Sequence, residues 1–143
     1  IPFLIRWPGK IPVRKDDLLF SVPDVYPTLL SLMGFGRDIP EKVEGTDYSR
    51  LFRTGKGQRP TSQLYLKIGY VPRDQGSRGV RTHRYTLRIE KQEDGTVQRY
   101  LHDNQADSWQ LKNIAAERPK LVRQLIEEEL QPWLSKTKDP WKP

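Results

Sequence analysis

Ile1–Trp7 is an apolar run closed by Pro8-Gly9. A short apolar run ended by a turn dipeptide is the pattern of a strand buried on both faces. Such a strand needs hydrogen-bonding neighbours at its edges and packed layers above and below it. No residues upstream of it supply them, so the expectation is the back end of a larger protein. Apolar residues are 35% of the 143, below the near-half of a self-sufficient globule, which points the same way.

Asp24 is placed to cap a helix with Pro27 in its first turn. Val25, Tyr26, Leu29, Leu30, Leu32 and Met33 form one apolar stripe, and Gly34 is a natural stop. Residues 1–34 are therefore expected to form strand, loop and helix. Residues 35–63 are rich in Gly, Pro and charge and form a connector, with one short helical turn near Tyr48–Phe52. Residues 64–143 are expected to form an antiparallel-sheet subdomain with a terminal helix.

Within that subdomain Leu64, Leu66, Ile68 and Tyr70 alternate with Tyr65, Lys67 and Gly69. A long strand is expected from Gly79 to Lys91, with His83, Tyr85 and Leu87 on one face. Asp94-Gly95 predicts a two-residue hairpin and a return strand from Thr96 to Leu101. Pro119 opens a helix carrying Leu121, Val122, Leu125, Ile126 and Leu130, which Pro132 should kink or end. The fold class is α+β.

The absence of Cys excludes disulfides, thiolate metal sites and a cysteine nucleophile within these residues. The formal charge of +7 favours anionic partners. His83 and His102 share no metal-ligand spacing. Asp16-Asp17 lies beside Arg14 and Lys15 in a loop, and Glu127–Glu129 fans around a helix, so both are expected to be solvated. No stretch approaches the length of a transmembrane helix.

Several patches carry a resemblance. Pro2–Lys10 resembles the "VPFIIRWPGK" strand of the sulfatase family. Ser21–Leu30 resembles its S-x-x-D-x-x-P-T-L-L helix, and Val43–Asp47 the stretch around its v-x-G. Arg78–Thr86 is similar to R-x-V-R-T-x-R-Y-K/T, and Tyr100–Ala115 to e-L-Y-D-l-x-x-D-P-x-E-x-x-N-L-A. His102 stands where that family has an aromatic residue and Ser108 where it has Pro.

The resemblance implies the C-terminal edge, strand and helix, of an alkaline-phosphatase-like α/β domain, followed by the small sheet and its packed helix. It implies a parent that hydrolyses sulfate esters, of a sulfated glycan or an aryl sulfate, at an upstream formylglycine and calcium site. None of those catalytic or metal-binding residues maps onto this chain, and the fragment alone is expected to be inactive. Ser21-Val22-Pro23 begins like the family's C/S-x-P-x-R, but Val25 replaces the Arg, and Ser21 suits a helix cap.

The implied partners are the N-terminal catalytic portion and a sulfated substrate, with no nucleic acid and no membrane. A periplasmic or secreted location is favoured. The loop Tyr70–Arg78 is the expected substrate-binding element, with Tyr70, Arg73 and Arg78 as its residues, because guanidinium groups suit sulfate and carboxylate. Two other readings remain open: a related phosphodiesterase or phosphatase, and a non-catalytic basic module that binds polyanions.

Overall fold

The computed structural model describes residues 3–66 and 74–143. The chain divides into two compact units, Ile1–Pro60 and Thr61–Pro143.

The first unit is built on α1, Val22–Leu32, followed by a short 3₁₀ turn at Gly36–Asp38 and by α2, Ser49–Thr54. Ser21, not Asp24, is the N-cap. Asp24 sits in the first turn and reaches back, its Oδ2 accepting from the Ser21 N–H at 2.9 Å and from the Ser21 hydroxyl at 2.6 Å. A carboxylate at this position satisfies donors at the helix start and favours the dipole. The helix therefore begins earlier than expected, and Pro27 falls inside it.

An interior Pro leaves the carbonyl four residues back without its helical donor. Here that carbonyl belongs to Pro23, and Gly45 packs against it so closely that a Cβ would collide. Asp24 Oδ1 then accepts the Thr46 N–H at 2.8 Å. The Thr28 hydroxyl accepts the Tyr48 N–H at 3.0 Å and donates to the Thr46 carbonyl at 3.3 Å. The spacing Asp24, Pro27-Thr28, Gly45-Thr46 is thus one device that stitches residues 45–48 along α1.

The expected strand at Ile1–Trp7 is not hydrogen-bonded as one among the described residues. A strand is defined by its neighbour, and the first unit contains none there. The Pro8-Gly9 turn is present: Trp7 O accepts from the N–H of Lys10 and of Ile11, and Gly9 has φ +71°.

The second unit is an antiparallel meander, ordered β1-β2-β3-β4. The strands are β1 Ser62–Leu66, β2 Gly76–Thr82, β3 Tyr85–Lys91 and β4 Val97–Asp103. The expected long strand Gly79–Lys91 is in fact two strands joined at His83-Arg84. Thr82 closes that turn, its hydroxyl accepting the Tyr85 N–H at 2.8 Å. His83 is therefore exposed in a turn, not on a face beside Tyr85. The Asp94-Gly95 hairpin joins β3 to β4, but its loop is longer than two residues. Gly95, at φ +83°, follows a turn opened by Gln92 and donates to the Gln92 carbonyl at 3.1 Å.

Register places Val80, Leu87 and Leu101 side by side, with Ile89 beyond them. Across this face lies a helical segment made of α3, Pro119–Leu125, a π turn at Ile126–Leu130, and α4, Gln131–Lys136. Val122, Leu125, Leu130, Leu134 and Trp141 close the core on the sheet. Pro132 does not end the helix. In the π turn Gln131 N–H bonds to Ile126 O, and this wider turn lets the helix continue past a residue that lacks N–H and crowds the preceding turn. Glu129 is not merely solvated: its Oε2 accepts from the hydroxyls of Thr61 at 2.8 Å and Ser62 at 2.6 Å.

Candidate functional site

Of the three residues expected to bind substrate, Tyr70 and Arg73 lie outside the described residues. Arg78 lies on β2, on the helix side of the sheet beside Ile89. Its Nε is 2.6 Å from Asp139 Oδ2, and its Nη1 donates to Ser77 O at 3.1 Å. The two side chains are only 10% and 14% exposed. Asp139 Oδ1 also accepts the Trp141 N–H at 3.0 Å, and the Trp141 ring lies 5.9 Å from the Arg78 guanidinium and 4.9 Å from Lys91 Nζ. Arg78 thus fastens the C-terminal segment to the strand that follows the loop.

Two polar atoms near this end of the loop, Gln75 Oε1 and Ser77 Oγ, are buried without a hydrogen-bond partner among the described residues. Buried polar groups are nearly always paired, and these two lie directly after residues 67–73, which fall outside the described residues.

The 103–117 loop is organised by its motif residues. Asn113 Oδ1 accepts from the N–H of Leu101 at 2.9 Å and of Ala115 at 3.0 Å, while Nδ2 donates to Arg99 O at 3.0 Å. This amide, with the Ile114 N–H donating to Leu101 O at 2.8 Å, covers backbone groups on the edge of β4 that would otherwise be open. Asp103 pairs with Arg84 at 3.0 Å and caps the loop through the N–H groups of Gln105 and Ala106. The Arg84 hydrogen bond, helped by those N–H groups, holds the Asp103 carboxyl below its usual value.

No group of three or more His, Cys, Asp or Glu side chains that could hold a metal ion occurs among the described residues. Ser21 is a helix cap bound to Asp24. These residues therefore do not fit a calcium ion or a formylglycine nucleophile, and no catalytic step is assigned to them. No helix among the described residues is long and apolar enough to cross a membrane.

A solved chain from Bacteroides thetaiotaomicron, studied for metabolism of multiple glycosaminoglycans, matches with a TM-score of 0.85 and 36% identity, over 94% of this chain and 30% of that one. The family model described as N-sulphoglucosamine sulphohydrolase, C-terminal, matches residues 1–138, and the chain belongs to that family. It is 37% identical over 157 residues to an endo-4-O-sulfatase of Bacteroides thetaiotaomicron, covering 99% of this chain and 30% of that protein. It is 28% identical over 142 residues to an N-acetylgalactosamine-6-O-sulfatase of the same organism, covering 89% and 26% respectively. The chain thus spans less than a third of the length of these relatives.

Proposed function

We propose that the chain is the C-terminal part of a sulfatase that removes sulfate esters from a glycan. The observation that carries this reading is the family match over residues 1–138, joined to relatives whose names specify sulfate on sugars. In this reading residues 1–34 complete the catalytic α/β domain, 35–63 connect, and 64–143 form the subdomain beside the cleft. The open apolar stripe on α1 supports it: Val22 is 85% exposed, Tyr26 52% and Met33 57%. Such a stripe needs a covering layer, and the catalytic sheet would provide one. The nucleophile and the divalent cation, which supply attack on sulfur and charge neutralisation, belong to the portion beyond this chain.

The loop Tyr70–Arg78 is the substrate-facing element of the proposal. Arg73 and Tyr70 contact an anionic or ring group beyond the scissile ester. Arg78, paired with Asp139, acts from beneath by holding the loop's outgoing strand. The test uses the full-length protein on a sulfated oligosaccharide and on a small aryl sulfate. Arg73→Ala should raise KM more than it lowers kcat, as loss of ground-state binding does, and only on the oligosaccharide. Unchanged kinetics on the oligosaccharide would remove the loop from recognition. A full-length protein that cleaves phosphodiesters and no sulfate ester would replace the sulfatase reading with its phosphoryl-transfer relative.

A further inference from the structure

The outward face of the sheet carries a feature that neither the core nor the loop explains. Strand alternation puts Arg81, Thr86, Arg88, Tyr100 and His102 on the side opposite α3 and α4. The 110–112 segment is pinned to this side. Gln110 Nε2 donates to Thr86 Oγ1 at 3.0 Å and to Asn104 Oδ1 at 2.8 Å, and Lys112 O lies 3.1 Å from His102 Nδ1. Gln110 adopts φ +56°, a conformation that costs a non-glycine residue energy and persists only when its surroundings impose it.

The two neighbours of Gln110 are both open to solvent: Trp109 is 84% exposed and Leu111 85%. Single exposed apolar residues are ordinary; here two flank a residue pinned to the sheet, with the Asp107 carboxylate accepting the Lys112 N–H at 2.8 Å close by. Basic groups stand next to it. Arg81 Nη1 lies 3.4 Å from the same Thr86 hydroxyl that holds Gln110, and its residue is exposed. Arg88 stacks over Tyr100 at 4.2 Å. Among the described outward residues of the four strands, Glu90, paired with Arg88 at 3.5 Å, is the one carboxylate.

We propose that Trp109, Leu111, Arg81 and Arg88 form a non-catalytic surface that binds a sulfated glycan. The indole and Leu111 offer an apolar plane to the C–H face of a sugar ring, and the guanidiniums pair with its sulfate or carboxylate groups. A second point of attachment on a polymer raises its effective concentration at the distant reacting end. The ligand class rests on the sulfatase reading above; the surface does not.

The test compares the full-length protein with Trp109→Ala, Arg81→Ala and the double variant. Retention on immobilised chondroitin sulfate is measured across a salt gradient, alongside turnover of a small aryl sulfate and thermal unfolding. The double variant should bind about tenfold more weakly, roughly the loss of one good contact, with aryl sulfate turnover and unfolding temperature unchanged. Wild-type retention by the double variant overturns the proposal. So does a fall of several degrees in unfolding temperature, which would show Trp109 packed inside the intact protein. Equal wild-type retention on double-stranded DNA at the same salt also overturns it, because the surface would then be a general polyanion binder. Loss of retention in a protein that releases sulfate from neither a sulfated glycan nor an aryl sulfate sustains the surface while refuting the sulfatase reading.

Discussion

The two units solve the burial problem in opposite ways. The second closes on itself: Val80, Leu87, Ile89 and Leu101 of the sheet meet Val122, Leu125, Leu130, Leu134 and Trp141 in one core. The first buries Leu32, Tyr48 and Leu51 but leaves Phe3, Leu4, Trp7, Val13, Val22, Tyr26, Met33 and Phe35 exposed. Its interior combines an aromatic cluster of Phe3, Phe20, Tyr48 and Phe52 with polar stitching around Asp24 and Thr28. The contrast teaches that one chain can pair a unit closed on its own core with one that leaves much apolar surface open, and in the reading proposed above that open surface is where a catalytic portion would dock.

The largest predicted effect strikes the closed unit. Asp139→Ala leaves the Arg78 charge buried, where side-chain exposure is 10%, and should cost about 3–5 kcal/mol. Leu125→Ala, at a position 7% exposed in the core, should cost about 2–5 kcal/mol. Denaturant midpoints check both, and losses below about 1 kcal/mol would mean that the second unit is not the closed body described.

The open unit has its own rigid joint, of smaller effect. A Cβ at Gly45 would run into the Pro23 carbonyl, and backbone cannot yield as a side chain does. Gly45→Ala should therefore destabilise by about 1–3 kcal/mol. A neutral outcome in the same unfolding measurement would show that residues 45–48 separate readily from α1.

Much of this was legible in the sequence, because the signals were periodic or carried by Gly and Pro. The meander, the Asp94-Gly95 reversal and the α3 stripe all have that character. The turn at His83-Arg84 was not legible: it contains no Gly, Pro, Asn or Asp, and depends on the hydroxyl of the preceding Thr82. Pro132 signalled a helix end because sequence rules do not foresee a π turn that accommodates it. Ser21 caps α1 as its place before the helix suggested, and Asp24, also of a capping residue type, acts instead from the first turn. For the site, the pairing of Arg78 with Asp139 links residues far apart in sequence, and no local pattern announces such a pair. The strain at Gln110 is equally silent, because it is set by Thr86 and Asn104.

Acid should weaken both units in the same sense. In the second, Arg84 holds the Asp103 carboxyl below its ordinary 3.8. In the first, a hydrogen bond from Arg59 does the same for Asp16. A carboxyl whose pKa is depressed on folding stabilises the folded state above its ordinary value, and that contribution is lost as pH falls through the lowered one. Stability should therefore decline below about pH 4. Asp103→Asn and Asp16→Asn should each flatten that decline. Unfolding curves of equal steepness in pH for variants and wild type would assign the acid sensitivity to other carboxylates.

The smallest expected effect is the one that tests the comparison itself. Tyr26 and Met33 lie on the exposed stripe of α1, 52% and 57% accessible. If that stripe faces water, Tyr26→Ser and Met33→Ser remove little buried surface, and the 143-residue chain should change by no more than about 0.5 kcal/mol. If the stripe is covered in the full-length protein, as proposed, the same substitutions there delete buried apolar contacts and should cost more than about 1 kcal/mol each. The informative quantity is the difference between the two backgrounds, since it cancels any change in helix propensity common to both. Equal, near-zero costs in both would show that the stripe stays in water, and the first unit would then be open for a reason other than docking to a catalytic sheet.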